Sequence, residues 1–475
     1  MSQVSDRTSQ VTNKVGNHYL TGSWRPADHE LDVSELVVVG DLPEGLRGVF
    51  MRNGPNPMFE PVSEYHMFDG DGMLHKVSFE DGKASYRNRW IVSRGLEVEM
   101  RAGRGVYPGL ADLANWPDKS VTGDAGPVKN PANTHIIGHA GRYYALWEGG
   151  LPTEVDGDLE TVGVWDYEGQ VDGMLPAMTA HPRLDPRTGE MFSFAYSPFP
   201  PYLRYFVIDA GGKLVHKVDL DLPAPVMMHD FLITEKHAVF LDSPIVLDIA
   251  NPDGGPVASW RPENGTRLGV MPRTGTADDI RWFEIDPCHV QHFWNAWDDG
   301  DGIELRGARW KEVDFGYESE GRAIDIDPAL PARFWIDLAA DKAGWEHFDD
   351  MGGEMCRLND DYTGVYNRYD YMGAYSSSRA QLGGFDCVAG YDAVTGQRQV
   401  WDFGGEREVG EPVFAPDPNG TDEGDGWILC PTTDRTATVS ELTVFEARRI
   451  DDGPVAVVRL PQWVPAGFHA NWFPS

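Results

Sequence analysis

The sequence predicts an all-β fold, most naturally a β-propeller, and three observations carry that expectation. Turn signals recur from residue 70 to residue 430, and hardly any long segment of helical periodicity lies between them. The 53 Gly and 34 Pro punctuate the chain every few residues, while 16 Trp, 17 Tyr and 21 Phe supply bulky core material. No Ser/Gly-rich spacer, charge block or low-complexity segment divides the 475 residues. Radial repetition of small sheets lets a chain this long stay one domain. The repeat is structural rather than literal, since no WD or kelch signature is present.

Taken in order, residues 1–25 read as a flexible N-terminal arm, and residues 26–475 as a single domain. "DGDGMLHKVSFEDGKASYRNRWIV" alternates and turns at Asp81-Gly82. "HPRLDPRTGEMFSFAY" turns through Asp185-Pro186 and Thr188-Gly189, and "YFVIDAGGKLVHKVDL" at Gly211-Gly212. "APVMMHDFLITEKHAVFL" turns at Glu235-Lys236, "DAVTGQRQVWDF" at Thr395-Gly396, and "DEGDGWILCP" begins another strand. Gly and Asp at most of these points suit the left-handed backbone that tight hairpins require. Helix is expected only in short pieces: "YPGLADLANW" near 107–116 and "DPALPARFWIDLAADKAG".

A net charge of -35 and a pI near 4.6 exclude the basic stripe through which nucleic-acid binders release counterions. The same balance argues against a polybasic lipid contact. No apolar run approaches the roughly 20 residues that span a bilayer, and the polar start MSQVSDRTSQVTNKVGNHYL has no secretory h-region. Cys288, Cys356, Cys387 and Cys430 lack CxxC spacing and read as reduced thiols, so a cytoplasmic location is expected. "DGDG" at 69–72 and 299–302 lacks the remainder of a calcium loop. No Walker lysine motif and no GxSxG is present.

"DPCHVQHFWNAWDDGDG", residues 286–302, places His289 and His292 three apart among β-branched and aromatic residues before an Asp-Gly turn. In a strand these two rings point to opposite faces, so at most one looks into a buried site. His292 is assigned the face of Cys288 and Val290. His181, His229 and His469 occupy similarly apolar or strand-flanked settings. The four are too far apart in sequence for a local chelate such as HExxH or a zinc finger. Inner strands of a propeller, drawn from distant blades, would bring them together.

Eight motifs occur in order: "FMRNGPNP" (50–57), "YHMFDGDGMLH" (65–75), "NTHIIGHAGRYYALWEGGLP" (133–152), "TAHPRLDPRTGEMF" (179–192), "MMHDFLIT" (227–234), "HFWNAW" (292–297), "GEPVFAPDP" (410–418) and "PAGFHANW" (465–472). Together they resemble the carotenoid cleavage oxygenase family, which also includes stilbene and phenylpropenoid cleavers. The resemblance runs from about residue 30 to the C-terminus. It implies a seven-bladed propeller with a few short helices capping the iron-containing face. It implies one non-haem Fe(2+) held by His181, His229, His292 and His469, with His289 an outward bystander. It further implies Glu148, Glu354 and Glu411 behind three of those ligands.

Four neutral imidazoles leave the charge of a dication uncompensated, and glutamates behind them fix each ring's tautomer and offset part of that charge. An all-nitrogen site does not by itself choose iron over zinc or copper. The choice rests on the resemblance, which implies cleavage of a conjugated C=C by O2 to two carbonyl products. A carotenoid or apocarotenoid substrate is favoured over a stilbene or phenylpropenoid. The resembling stilbene cleavers carry a lysine immediately before the first of these glutamates, and here that residue is Trp147. Tyr107 matches a tyrosine used by phenol-cleaving members. "SPFPPYLRYF" (197–206) and "YPGLADLANW" are expected at an apolar tunnel mouth, with weak membrane-surface contact there. The reading from a different class is a non-catalytic propeller scaffold.

Overall fold

The computed structural model describes residues 3–14, 16–112, 115–248, 257–314, 326–377, 384–405, 407–434 and 439–475. The expected turns form. Gly72–Glu80 and Lys83–Trp90 pair antiparallel across Asp81 (φ 48°) and Gly82 (φ 71°), the two left-handed residues of a tight hairpin. Thr188-Gly189, Gly211-Gly212, Glu235-Lys236 and Thr395-Gly396 each lie between paired strands, with Gly189, Gly212 and Gly396 in the left-handed region.

Seven sheets make the blades of a propeller. The five middle blades have as innermost strands His135–His139, Arg183–Leu184, Phe231–Ile233, His289–Asp299 and Gly353–Arg357. The ring is closed from both ends of the chain. The C-terminal strand Ala470–Pro474 is the innermost strand of the first blade, paired with Gly48–Pro55. Val37–Gly40 is the outermost strand of the last blade, paired with Ala456–Arg459. Such closure removes the open sheet edges between first and last blades. Apolar side chains fill the gaps between blades. Leu241, Leu268 and Phe283 of the fourth blade, for example, pack on Val290, Phe293, Leu305 and Phe334 of the fifth.

Three expectations require correction. Residues 1–25 are not a free arm along their described length: Gln3–Thr8 is a strand paired with His29–Val33, Gln10 N–H donates to Met58 O at 2.7 Å, and Trp24 is buried. "DPALPARFWIDLAADKAG" holds the strand Leu330–Asp337 and the start of a second, Lys342–His347. Ala332, Phe334 and Ile336 face the core while Arg333 and Asp337 face solvent, a period of two that the leucines and alanines obscured. In 107–116 the helix is a single 3-10 turn, Leu110–Asp112, with residues 113 and 114 outside the described residues. A nine-residue helix instead covers Arg94–Ala102, capped by the Ser93 side chain and ended by Gly103 in the left-handed region.

Candidate metal centre

Four of the fourteen histidines converge. His181, His229, His292 and His469 each offer a ring nitrogen, and these atoms lie within 4.8 Å of one another, all four residues buried. Each rides on an innermost strand or just before one. His181 precedes Arg183–Leu184, His229 precedes Phe231–Ile233, His292 lies within His289–Asp299, and His469 abuts Ala470–Pro474.

Three of the rings have their outer nitrogen occupied by a carboxylate. His229 Nδ1 donates to Glu148 Oε2 at 2.6 Å, His292 Nδ1 to Glu354 Oε2 at 2.7 Å, and His469 Nδ1 to Glu411 Oε1 at 2.9 Å. Each carboxylate is itself held: Glu148 by the Tyr196 hydroxyl at 2.6 Å, Glu354 by Trp310 Nε1 at 2.6 Å, and Glu411 by Ala470 N–H at 2.6 Å and Arg357 at 3.2 Å. A ring that donates from Nδ1 presents a lone pair at Nε2, and that lone pair turns to the shared centre.

The donor set fits a metal ion. His229 Nε2 and His292 Nε2 lie 3.3 Å apart. Two lone pairs that close repel unless a cation lies between them. Nitrogens about 2.1 Å from one ion, at right angles, would be about 3 Å apart. His181 Nε2 is buried and has no hydrogen-bond partner among the described residues, which is costly for a polar atom that nothing else satisfies. Burial lowers the His292 pKa to about 3 and, together with the other histidines, holds His181 and His469 well below the usual range. Three neutral imidazoles are the form that binds a metal. At His229 burial acts in the same direction, but Glu148 outweighs it and raises the value. Burial pushes the Glu354 carboxyl up to about 8; a dication held by His292 would favour its ionised form.

Backbone irregularity aims two of these groups. Register shifts between Val290 and Phe293 mark a bulge, which leaves Cys288, Val290 and Phe293 in one apolar core. His292 therefore does not share the face of Cys288 and Val290, a correction to simple alternation. Nor is His289 outward. It is buried away from the four-histidine group, with Nδ1 3.0 Å from Ser243 Oγ and Nε2 2.8 Å from Gln291 Oε1. A second bulge, between Glu354 and Arg357, puts Met355 at φ 60°. Such a backbone costs on the order of 1–3 kcal/mol, and here it lets Glu354 and Arg357 both reach groups of the centre.

Sequence reading missed the struts. Asp230, directly after His229, accepts from Phe293 N–H at 2.9 Å and from Arg183, two residues after His181. Arg183 also donates to Phe231 O at 2.8 Å, so one partly buried ion pair ties together the three strands that carry or follow His181, His229 and His292. The available signal was a charged residue in an apolar run beside each histidine, in "AHPRL" and "MMHDF".

Trp147 and Tyr107 line one cleft together with Phe59, Tyr65 and Phe68. Trp147 precedes Glu148, and Phe68 packs on Phe468 beside His469 with ring centroids 5.7 Å apart; none of the four histidines lines the cleft itself. Pro108, Gly109 and Leu110 also line it, whereas 197–206 do not.

Fold and site together define a propeller enzyme built around a four-histidine cluster able to hold a metal ion. The chain belongs to the carotenoid cleavage oxygenase family: the family model described as "Retinal pigment epithelial membrane protein" matches residues 24–474. It is 35% identical to the carotenoid 9,10(9',10')-cleavage dioxygenase 1 of Arabidopsis thaliana, over 95% of this chain and 89% of that protein. It is 31% identical to the isoeugenol monooxygenase of Pseudomonas nitroreducens, over 96% of this chain and 98% of that one. The solved lignostilbene dioxygenase of Pseudomonas brassicacearum superposes with a TM-score of 0.89 at 29% identity, covering 99% of this chain and 100% of that chain.

Proposed function

We propose that this enzyme is a non-haem Fe(2+) dioxygenase that cleaves a conjugated C=C bond with O2, giving two carbonyl products and placing one oxygen atom in each. The convergence of four buried imidazole nitrogens, three backed by carboxylates, carries the reading. Ferrous iron held by His181, His229, His292 and His469 supplies the chemistry of O2 activation. The rest of the work belongs to the protein. Glu148, Glu354 and Glu411 fix ring orientation, and the apolar wall of the cleft holds the alkene and excludes water.

A carotenoid or apocarotenoid substrate is favoured. Trp147 gives the cleft a broad apolar face where a lysine would give a cation. Glu60, Glu64, Asp69, Asp71 and Glu99 line the cleft against the single ammonium of Lys129, which bonds Asp71 at 2.8 Å and Glu99 at 3.0 Å. A surplus of carboxylates disfavours a phenolate. One observation favours the second reading, cleavage of a stilbene or phenylpropenoid. The Tyr107 hydroxyl is buried without a hydrogen-bond partner among the described residues and could hold a substrate oxygen. The four cysteines are buried free thiols, which supports a cytoplasmic setting. Among the described residues no helix is long and apolar enough to cross a membrane.

Iron-reconstituted enzyme incubated with a panel of polyenes and phenolic alkenes, with aldehydes identified by mass, tests the reading. Apocarotenal products are expected. Metal analysis of the purified protein separates the enzyme from a non-catalytic propeller scaffold, which would hold no stoichiometric metal.

A further inference from the structure

His181 is the odd member of the four, because no carboxylate reaches its ring among the contacts of the described residues. Its backbone is held instead. The His181 N–H donates to Thr179 Oγ1 at 3.0 Å, and the carbonyl of the preceding residue, Ala180, accepts from His135 Nδ1 at 2.8 Å. His135 is buried, its ring centroid 5.7 Å from that of His181 and 5.2 Å from that of His469.

The partners of His135 fix its state. A carbonyl can only accept, so Nδ1 carries the hydrogen. An amide nitrogen can only donate, and Asn471 Nδ2 lies 3.2 Å from His135 Nε2, so Nε2 is the acceptor and the ring is neutral. Both ring nitrogens are engaged, which keeps His135 from serving as a fifth ligand. Asn471 Nδ2 also donates to Ile136 O at 2.9 Å, and Asn471 Oδ1 accepts from Arg357 Nη2 at 2.8 Å. Arg357 Nη1 donates to Ala470 O at 2.6 Å and to Glu411 Oε2 at 3.2 Å, and the other oxygen of Glu411 accepts from His469. From the guanidinium to the Ala180 carbonyl every donor points the same way. Flipping Asn471 would set its oxygen against two acceptors, so the run has one stable polarity.

We propose that His135 is a positioning residue for the metal centre. It holds His181 in position through the Ala180 carbonyl, where the glutamates hold the other three histidines through their rings. The run His135–Asn471–Arg357 thereby couples His181 to His469. This rests on the four-histidine metal reading above and adds a fifth histidine that never touches the ion.

The test uses the full chain loaded with Co(2+), comparing His135→Leu, His135→Gln and Asn471→Asp with wild type. Metal loss to a chelator is timed, and Tm is measured with and without Co(2+). Removing a group behind a ligand typically costs about 10–100-fold in metal affinity, so His135→Leu is expected to lose Co(2+) at least about tenfold faster. The Tm gain on Co(2+) binding should shrink with it. His135→Gln, which can still donate and accept, is expected to stay within about threefold of wild type. Asn471→Asp, which removes the donor to His135, should follow His135→Leu and serves if that variant does not fold. Wild-type metal loss in His135→Leu or Asn471→Asp, or an equal fall of both Tm values with no change in metal loss, overturns the proposal. A wild-type chain that holds no Co(2+) overturns the four-histidine reading, and this inference with it.

Discussion

His292 and His181 stand 5.1 Å apart ring to ring, yet the molecule holds them in different ways. His292 is gripped through its ring, by Glu354, which is gripped in turn by Trp310. His181 is gripped through its backbone, by Thr179 and His135. A carboxylate behind a ring sets orientation and adds negative charge. A backbone clamp sets position and adds none. Three glutamates and Arg357, which pairs with Glu411, together balance a dication, so a fourth carboxylate would bury one excess negative charge.

The largest expected effect separates a ligand from its neighbour. His292→Ala should abolish both iron retention and turnover, whereas His289→Ala should leave iron content unchanged, because His289 bonds Ser243 and Gln291 instead of facing the centre. Iron per chain after desalting measures both. Equal loss would mean that the bulge does not separate the two rings.

Next comes the strut. Arg183→Met leaves Asp230 buried without its cation, and removing one partner of a buried pair typically costs about 3–5 kcal/mol. Chemical denaturation of the metal-free protein should show a loss near the lower figure, since Phe231 and Phe293 N–H still bond Asp230. A loss under about 1 kcal/mol would show that the three strands hold without it.

Glu411→Gln should keep the fold and weaken iron retention by about 10–100-fold. Glu354→Gln is expected in the same range, with the carboxamide unable to offset the ion's charge. The rate of iron loss to a chelator checks each. If both variants retain iron and full activity, the carboxylates do not support the centre, and the contrast with His181 disappears.

The smallest effect concerns substrate. With Trp147 in place of a lysine, a 4-hydroxylated aryl alkene and its 4-methoxy analogue should be cleaved at rates within about tenfold of each other, against about 10⁴-fold for sites built to bond a hydroxyl. An apocarotenoid should be cleaved. A hundredfold preference for the 4-hydroxy compound, with apocarotenoids inert, would transfer the role to Tyr107 and the phenylpropenoid reading.

Much of this was open to inspection in the chain itself. Turn chemistry is local, so Asp81-Gly82, Gly211-Gly212 and Thr395-Gly396 announced their hairpins with no help from distant residues. The four histidines and the glutamates behind them were legible because motifs such as "MMHDFLIT" and "GEPVFAPDP" resemble a known family in both residue type and order. The strand at Leu330–Asp337 was misread because alternation over eight residues competes with helix-forming Leu and Ala nearby, and packing between blades decides such cases.

The sequence by itself determined which residues could bind and roughly where each strand turns, since those depend on side-chain chemistry and local backbone preference. Only the tertiary structure decided which way the side chains look. Bulges at Val290–Phe293 and Glu354–Arg357 shift the parity of their strands, and no local pattern records an extra residue that pairs with nothing. The links from His135 to Asn471 and from Arg183 to Asp230 span 336 and 47 residues. Such contacts exist only once the blades have packed side by side, because a hydrogen bond depends on distance in space and is blind to distance along the chain.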